Sequence, residues 1–177
     1  MVTRQTLPHL WLISDARNDA GLEAALKRLP RGSGFIYRHY HLEPAERIAR
    51  FRTLARIARA RGIATVLADS ALTATEWGAG GIYGAPRALW PRRRHLRLAT
   101  AHSLREIGEA NLLGVDAMLL SPVFPTRSHP GGPSLGPLRF RLLATRSRVP
   151  VIALGGMSKH KAKRLEWPHW AAIDGLS

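Results

Sequence analysis

Eight short apolar runs, separated by helical or turn-rich segments, are the feature that most constrains how this 177-residue chain folds. The runs begin at His9, Gly34, Ile63, Gly80, Leu96, Asp116, Pro150 and Ala171. Each is apolar almost throughout rather than alternating, which is typical of strands buried on both faces of a parallel sheet. The regular exchange of strands and helices therefore predicts an α/β fold.

The segments between the runs are typical of helices or short turns. The segment EPAERIARFRTLARIARARG places Phe51, Leu54 and Ala58 on one face and most of its Arg on the other, and it ends at Gly62. In HSLREIGEANLLG, the residues Ser103 and Glu106 form a capping box. The third and fourth crossovers, SALTATEW and APRALWPRRR, are short, and no helical segment follows the eighth run.

Eight strands that alternate with helices predict a compact (β/α)8 barrel with short third and fourth crossovers and no final helix. We expect residues 1–177 to form a single domain, because no low-complexity linker divides them and 45% of them are hydrophobic. An open doubly wound sheet is the alternative. The chain has no early glycine-rich phosphate turn of the dinucleotide type, which weighs against that sheet.

Composition narrows the classes of function. The chain has no Cys, which excludes disulfide frameworks, zinc fingers and thiol nucleophiles. The N-terminus lacks the pattern of a signal peptide and no apolar run approaches the length of a membrane helix, so we expect a soluble cytoplasmic protein. The net charge of +15 suits binding of a polyanion, but genome composition explains an Arg-rich, Lys-poor surface as easily as function does. We therefore expect a small phosphorylated ligand rather than nucleic acid.

In a (β/α)8 barrel the active site lies where the strands end. One candidate is the loop SPVFPTRSHPGGPSLG, which follows the sixth run and holds four prolines and three glycines. Thr126 and Ser128 offer hydroxyl donors, Arg127 a permanent charge and His129 a titratable one. These groups predict phosphate binding, with a solvated surface loop as the alternative.

Two glycines, Gly155 and Gly156, end the seventh run. Glycines let backbone N–H groups approach a phosphate closely, and phosphate sites after the seventh and eighth strands are common in such barrels. We therefore assign Gly155 and Gly156 to phosphate binding, with a tight turn as the alternative.

Three other strand-end residues are candidates for chemistry. His102 ends the fifth run and suits general acid/base catalysis near neutral pH. Asp69 ends the third run and suits Mg²⁺ binding, proton transfer or capping of the next helix. Arg38 would pair with a phosphate or with Asp15. Few carboxylates fall at strand ends, so a site with two carboxylate ligands for Mg²⁺ is weakly supported.

The stretch GVDAMLLSPVFPTRSHPGGPSLGPLRF and the later VPVIALGGM together resemble the thiamine phosphate synthase family, which includes the thiazole tautomerases. The family pattern is Gly-Pro-Val-Phe-Pro-Thr, a Thr-x-Thr-Lys turn and then Pro-Val-Val-Ala-Ile-Gly-Gly-Ile. The similarity is clear from about Leu96 to Met157 and weak before that. It implies a (β/α)8 barrel that joins hydroxymethylpyrimidine pyrophosphate to a thiazole phosphate, with Mg²⁺ assisting the loss of pyrophosphate.

The thiazole-phosphate side of the family's site carries over well. Thr126, Arg127 and Ser128 occupy the Thr-x-Thr turn, Gly155-Gly156 match the phosphate glycines, and Asp174-Gly175 fall near the second phosphate-binding backbone segment. His129 stands where the family has Lys. We therefore expect Gly175 to join the phosphate-binding group.

The pyrimidine-pyrophosphate side departs from the family pattern. Gln-x-Arg-x-Lys on the second strand is replaced by Ile36, Arg38 and Tyr40, so only Arg38 remains. Asn-Asp after the third strand is Ala68-Asp69, and the second Mg²⁺ carboxylate has no counterpart in YGAPRAL. These differences leave Asp69 as the candidate Mg²⁺ ligand.

The resemblance leaves three functions open. The first is thiamine phosphate synthesis. The second is a thiazole tautomerase that uses His102, because TAHSLREI resembles the tautomerase segment that holds the acid/base His. The third is a non-catalytic protein that binds thiazole phosphate or thiamine phosphate and has lost the pyrophosphate and Mg²⁺ site. A homodimer formed through a barrel flank near the eighth strand is a further hypothesis.

Overall fold

Eight parallel strands close into a barrel in the computed structural model, which describes residues 6–90, 94–127 and 130–176. The strands are β1 Leu10–Ile13, β2 Gly34–Tyr37, β3 Ala64–Leu67, β4 Gly81–Gly84, β5 Leu96–Ala101, β6 Ala117–Leu120, β7 Val151–Ala153 and β8 Trp170–Ala172. The barrel closes because β1 pairs with both β2 and β8: Leu12 lies opposite Phe35 on one side and Ala172 on the other. The predicted (β/α)8 barrel is confirmed, and the open sheet was the wrong alternative.

The crossovers differ in length as predicted. The helices are α1 Leu22–Arg28, α2 Pro44–Ala60, α3 Ala71–Trp77, α4 Leu104–Leu113, α5 Gly136–Ala144 and α6 Lys159–Leu165. Short 3-10 segments occupy Ala16–Gly21, Pro86–Leu89 and Asp174–Leu176, of which the second forms the fourth crossover and the third follows β8. No helix in the described ranges is long and apolar enough to cross a membrane. The assignment of residues 1–177 to a single domain stays a prediction.

Helix α2 has the amphipathic arrangement that its sequence predicts. Phe51, Leu54, Ala55 and Ala58 are buried against the barrel. The chain leaves the helix at Gly62, whose φ of +66° lies in the left-handed region that glycine adopts without a Cβ penalty. This turn leads the chain directly into β3.

The start of α4 confirms the capping box, with one difference. Ser103 Oγ accepts a hydrogen bond from the Glu106 N–H at 3.3 Å. The Glu106 carboxylate reaches one residue further back than the usual box, accepting from the His102 N–H at 2.6 Å and from the Ser103 hydroxyl at 3.1 Å. Glu106 therefore holds the backbone of His102 in place at the end of β5.

The core has two layers, one inside the barrel and one between the strands and the helices. The inner layer contains Trp11, Ile13, Ile36, Val66, Ala68, Tyr83, Leu98, Ala117, Leu119, Ile152 and Ala171. Trp11 lies opposite Gly34 across the β1–β2 pair, and a Cβ added at Gly34 would lie 2.1 Å from Trp11 Cε3. The indole therefore fills the space that a larger residue at position 34 would need.

Candidate functional site

A cleft of about 230 Å³ opens where β6, β7 and β8 end. It is lined by Pro125, Thr126 and Arg127 after β6, by Leu154, Gly155, Gly156 and Met157 after β7, and by Ala172, Ile173, Asp174 and Gly175 after β8. The structure thus brings together five residues that the sequence assigned to phosphate binding: Thr126, Arg127, Gly155, Gly156 and Gly175. The other two, Ser128 and His129, lie outside the described residues.

Backbone hydrogen bonds hold the loop after β6 against the turn after β7. The Val123 N–H donates to the Leu154 carbonyl at 2.9 Å, and the Phe124 N–H donates to the Gly155 carbonyl at 3.1 Å. On its way to α5 the chain passes the same loop again, where the Gly136 N–H donates to the Val123 carbonyl at 2.9 Å. These bonds continue the β6–β7 pairing beyond the strands and fix one wall of the cleft.

This packing explains why positions 155 and 156 are glycine. Both have a positive φ, +95° at Gly155 and +60° at Gly156. A Cβ at Gly155 would lie 2.5 Å from Pro122 Cα, and one at Gly156 would lie 2.4 Å from the Pro125 carbonyl oxygen. The tight-turn alternative therefore accounts for both glycines, and phosphate binding at their N–H groups stays a prediction.

One cation and one carboxylate line the cleft, and a second cation lies beside it. Arg127 lines it, and Lys161 from α6 donates from Nζ to the Gly156 carbonyl at 2.8 Å. The Lys161 ammonium also lies 5.1 Å from the ring centroid of Phe124. Asp174 lines the cleft too, and its charge is offset by Arg17, whose Nη1 lies 3.5 Å from Asp174 Oδ2. Sequence reasoning missed Lys161, because it belongs to no motif and stands among the other basic residues of α6.

Arg38 follows β2 and pairs with Asp15. Its Nη2 lies 3.8 Å from Asp15 Oδ2, while Arg17 Nε makes a closer contact of 2.9 Å with Asp15 Oδ1. Burial alone would raise the pKa of Asp15, but hydrogen bonds from Arg17 and the charges of Arg17 and Arg38 hold it below its usual value. The structure thus contains the Asp15 pairing that the sequence left open, and a catalytic role for Arg38 stays a prediction.

Asp69 is engaged by Arg47 from the first turns of α2. Arg47 Nη1 donates to Asp69 Oδ2 at 2.6 Å, and the Ser70 N–H donates to Asp69 Oδ1 at 2.7 Å. Although burial alone would raise the pKa of Asp69, these bonds hold it below its usual value. The carboxylate is therefore charged, and both of its oxygens already have a donor.

The residues around Asp69 do not fit a Mg²⁺ site. This cation prefers near-octahedral oxygen ligation, usually with one or two carboxylates that are free to face it. Among the described residues no group of three His, Asp or Glu is placed to hold a metal ion. Binding of Mg²⁺ at Asp69 stays a prediction that this geometry disfavours.

His102 lies at the end of β5, on the same end of the barrel as the cleft. Its Nδ1 is 3.0 Å from the Ser121 carbonyl oxygen and 3.1 Å from Ser121 Oγ. A carbonyl oxygen accepts hydrogen bonds only, so Nδ1 carries the proton in the neutral ring and Nε2 holds the lone pair. Ser121 opens the loop whose later residues line the cleft. The tautomer suits a general base acting at Nε2.

A buried hydrogen-bonded chain, which sequence reasoning missed, lies beneath Arg38. The Arg38 N–H donates to Ser14 Oγ at 2.8 Å, Ser14 Oγ lies 2.8 Å from His39 Nδ1, and His39 Nε2 lies 2.8 Å from Asp19 Oδ1. Burial lowers the pKa of His39, although the Asp19 carboxylate opposes this. Ser14 is fully buried, so this chain supports the backbone at His39, which has a φ of +40°, rather than meeting a ligand.

Comparison with known proteins adds a family match. A family model described as thiamine monophosphate synthase matches residues 10–169. A protein of Aquifex aeolicus (strain VF5), provisionally named thiamine-phosphate synthase 2, is 38% identical over 64 residues, which are 36% of this chain. The match spans about a third of that relative's length, 34%.

Solved structures share the fold. Thiamine phosphate pyrophosphorylase from Pyrococcus furiosus superposes with a TM-score of 0.78 at 22% identity, covering 96% of this chain and 87% of that one. The Bacteroides thetaiotaomicron protein of the same name gives a TM-score of 0.61 at 17% identity, covering 94% and 83% of the two chains. An Escherichia coli K12 aldolase gives 0.63 at 11% identity, covering 94% and 75%. At these identities the likeness shows the barrel and not the chemistry.

Proposed function

Because this chain belongs to the thiamine monophosphate synthase family, we propose that it binds a thiazole phosphate in the cleft and joins it to hydroxymethylpyrimidine pyrophosphate. The reaction forms thiamine phosphate and releases pyrophosphate. The observation that carries the proposal is the cleft itself, because Thr126 and Arg127 line it together with the Gly155–Gly156 turn. The chain is then a transferase of thiamine biosynthesis.

The charges around the cleft suit a phosphate ester. Arg127 offers a planar set of donors and Thr126 precedes it in the chain, while Lys161 adds positive potential beside the Gly156 carbonyl. The volume of about 230 Å³ is below the usual range for drug-sized ligands and suits a phosphate with part of a small ring. A phosphorylated small molecule is therefore the ligand class that we assign to this end of the barrel.

Calorimetry with thiazole phosphate and with thiamine phosphate tests the binding step. We expect saturable binding that Arg127→Gln weakens roughly ten- to hundredfold, the range for loss of a hydrogen bond to a charged group. Arg105→Gln is the matched control, because Arg105 lies on α4 and pairs with Glu109. Absence of binding by the unmodified protein would overturn the proposal.

One observation favours a second function, that of a thiazole tautomerase. In the neutral ring, the contact of His102 Nδ1 with the Ser121 carbonyl places the proton on Nδ1 and leaves the lone pair on Nε2, as a base requires. We expect His102→Gln to abolish isomerisation of a thiazole phosphate carboxylate while ligand binding is retained. Unchanged turnover would dismiss this role. Binding without turnover in either assay would indicate the third hypothesis, a non-catalytic phosphate-binding protein.

The remaining expectations about partners and location stay predictions. They are a homodimer, weak or no binding of nucleic acid, and a cytoplasmic location. Size-exclusion chromatography with light scattering checks the first, and a salt series with RNA and DNA checks the second, because non-specific binding of nucleic acid falls steeply with salt.

A further inference from the structure

One guanidinium joins the ends of β2 and β3. Besides its bond to Asp69, Arg47 donates from Nη2 to the Ala68 carbonyl at 3.0 Å and from Nε to the Arg38 carbonyl at 3.0 Å. Its side chain is only 11% exposed. The guanidinium is thus held by three acceptors on two neighbouring strand ends, so it is a fixed charge and not a mobile surface group.

This arrangement competes with a metal ion for Asp69. A divalent cation at Asp69 Oδ2 would have to displace Arg47 Nη1, which lies 2.6 Å away, and would leave a partly buried guanidinium beside a second positive charge. The other carboxylates at neighbouring strand ends are also paired with Arg: Asp15 with Arg17 and Arg38, and Asp174 with Arg17. The three aspartates at these strand ends, Asp15, Asp69 and Asp174, are therefore already paired with arginine side chains.

Two guanidinium groups flank an exposed ring beside Asp69. The Cζ atoms of Arg38 and Arg47 lie 5.8 and 5.3 Å from the ring centroid of Tyr40, which is 63% exposed. The side chain of Arg38 is 28% exposed, and its contact with Asp15 at 3.8 Å is longer than a hydrogen bond. Arg38 is therefore held less tightly than Arg47 and can meet an anion by turning from this contact, while Arg47 fixes the strand ends around it.

We propose that Arg47 occupies the place of a divalent cation at Asp69, so that this side of the barrel mouth binds the anionic group of its ligand without a metal ion. The inference rests on the proposed function, because that function supplies the pyrophosphate group of the ligand. Arg47 is a positioning residue in this scheme, and Arg38 is the cation that touches the ligand.

Binding of Mn²⁺, followed by the electron paramagnetic resonance signal of the free ion, tests the first half of the proposal. We expect the wild-type protein and Asp69→Asn to bind Mn²⁺ equally weakly, with no saturable site. We expect Arg47→Met to gain a site, because that change frees the Asp69 carboxylate. One Mn²⁺ bound by the wild type and lost in Asp69→Asn would overturn the proposal. The comparison of the wild type with Asp69→Asn decides the matter even if Arg47→Met fails to fold.

Calorimetry with inorganic pyrophosphate tests the second half. We expect the wild type to bind pyrophosphate in excess chelator, and Arg38→Gln to weaken binding roughly ten- to hundredfold. Arg52→Gln is the matched control, because Arg52 is an exposed residue of the same helix as Arg47. Pyrophosphate binding that requires Mg²⁺ would overturn the inference. This result would leave the proposed function untouched, because that function is tested separately by the binding of thiazole phosphate at Arg127.

Discussion

The imidazole rings of His9 and His169 stack with their centroids 4.8 Å apart and an interplanar angle of 5°, where the first and last strands of the barrel meet. His9 Nδ1 lies 3.0 Å from the Pro168 carbonyl oxygen, and His169 Nδ1 lies 3.1 Å from the Pro8 carbonyl oxygen. Each ring therefore donates to the residue that precedes the other. The pair ties β1 to β8 at the end of the barrel opposite the cleft.

We expect this pair to make the barrel sensitive to acid. Burial, together with the neighbouring His9, lowers the pKa of His169, although the bond to Pro8 opposes this. The folded state then binds fewer protons than the unfolded state, so its stability is complete above the unfolded pKa of about 6.5 and falls as the pH drops below it. Burial lowers the pKa of His39 as well, with the same sign.

Thermal unfolding between about pH 7 and pH 5 measures this effect. The midpoint should fall by roughly 2–4 °C for each kcal/mol of stability that is lost, the scale for a domain of this size. In His169→Asn, which keeps a donor near Pro8, the midpoint should depend less steeply on pH. The control His160→Asn, on the exposed face of α6, should keep the pH dependence of the wild type. A midpoint that stays constant across this range would contradict the expectation.

We expect Gly155→Ala to cost roughly 1–3 kcal/mol of stability, because a Cβ at this φ of +95° meets the backbone of Pro122. The substitution should also weaken binding of a phosphorylated ligand, since the loop after β6 must move. Chemical denaturation and calorimetry measure the two effects. Gly108→Ala in α4 is the matched control: a Cβ there meets no heavy atom within 4 Å, and the change should stabilise the helix by about 0.5–1 kcal/mol. Equal effects of the two substitutions would refute the packing argument.

Lys161→Met should weaken binding of thiazole phosphate about two- to fivefold, the effect of a partly exposed charge. Lys161 is held at the cleft by the Gly156 carbonyl, whereas Lys163 lies on the exposed side of the same helix. Lys163→Met should therefore leave the affinity unchanged. Similar affinities for the two variants in calorimetry would show that the ammonium at position 161 makes no specific contribution.

Ser103→Ala should cost about 1 kcal/mol of stability through loss of the helix cap. Because Glu106 holds the His102 N–H, Glu106→Gln should preserve part of this bond, while Glu106→Ala should remove it and loosen the position of the imidazole. Denaturation curves of the three variants measure the stability loss. A Glu106→Ala protein as stable as the wild type would show that the bond to His102 is not needed.

The sequence predicts the barrel well, because its signal is local. A strand buried on both faces must be apolar throughout. Seven of the apolar runs contain their strands whole, and the eighth strand begins at Trp170, one residue before its run. The faces of α2 follow from its 3.6-residue period, and the Ser103 cap follows from a four-residue pattern. Such features depend on neighbours along the chain, so the chain alone is enough to indicate them.

The sequence predicts where the site lies better than it predicts the contacts made within it. Closure of the barrel brings Thr126, Gly155 and Gly175 to one cleft, as their places at strand ends indicate. The reason for glycine at position 155 is contact with Pro122, which depends on how two loops pack. The partner of Asp69 was not predictable either. Arg47 is one of several arginines along α2, and only the three-dimensional structure shows which of them reaches the end of β3.

The indole of Trp11 occupies the space above Gly34, so these two positions share one fixed volume. A substitution that adds bulk at 34 is tolerated only together with a smaller ring or an aliphatic side chain at 11, and a smaller residue at 11 alone leaves a void inside the barrel. Among folded variants from a library that randomises both positions at once, the combined side-chain volume of positions 11 and 34 should therefore stay nearly constant. Each position randomised alone would tolerate almost no change.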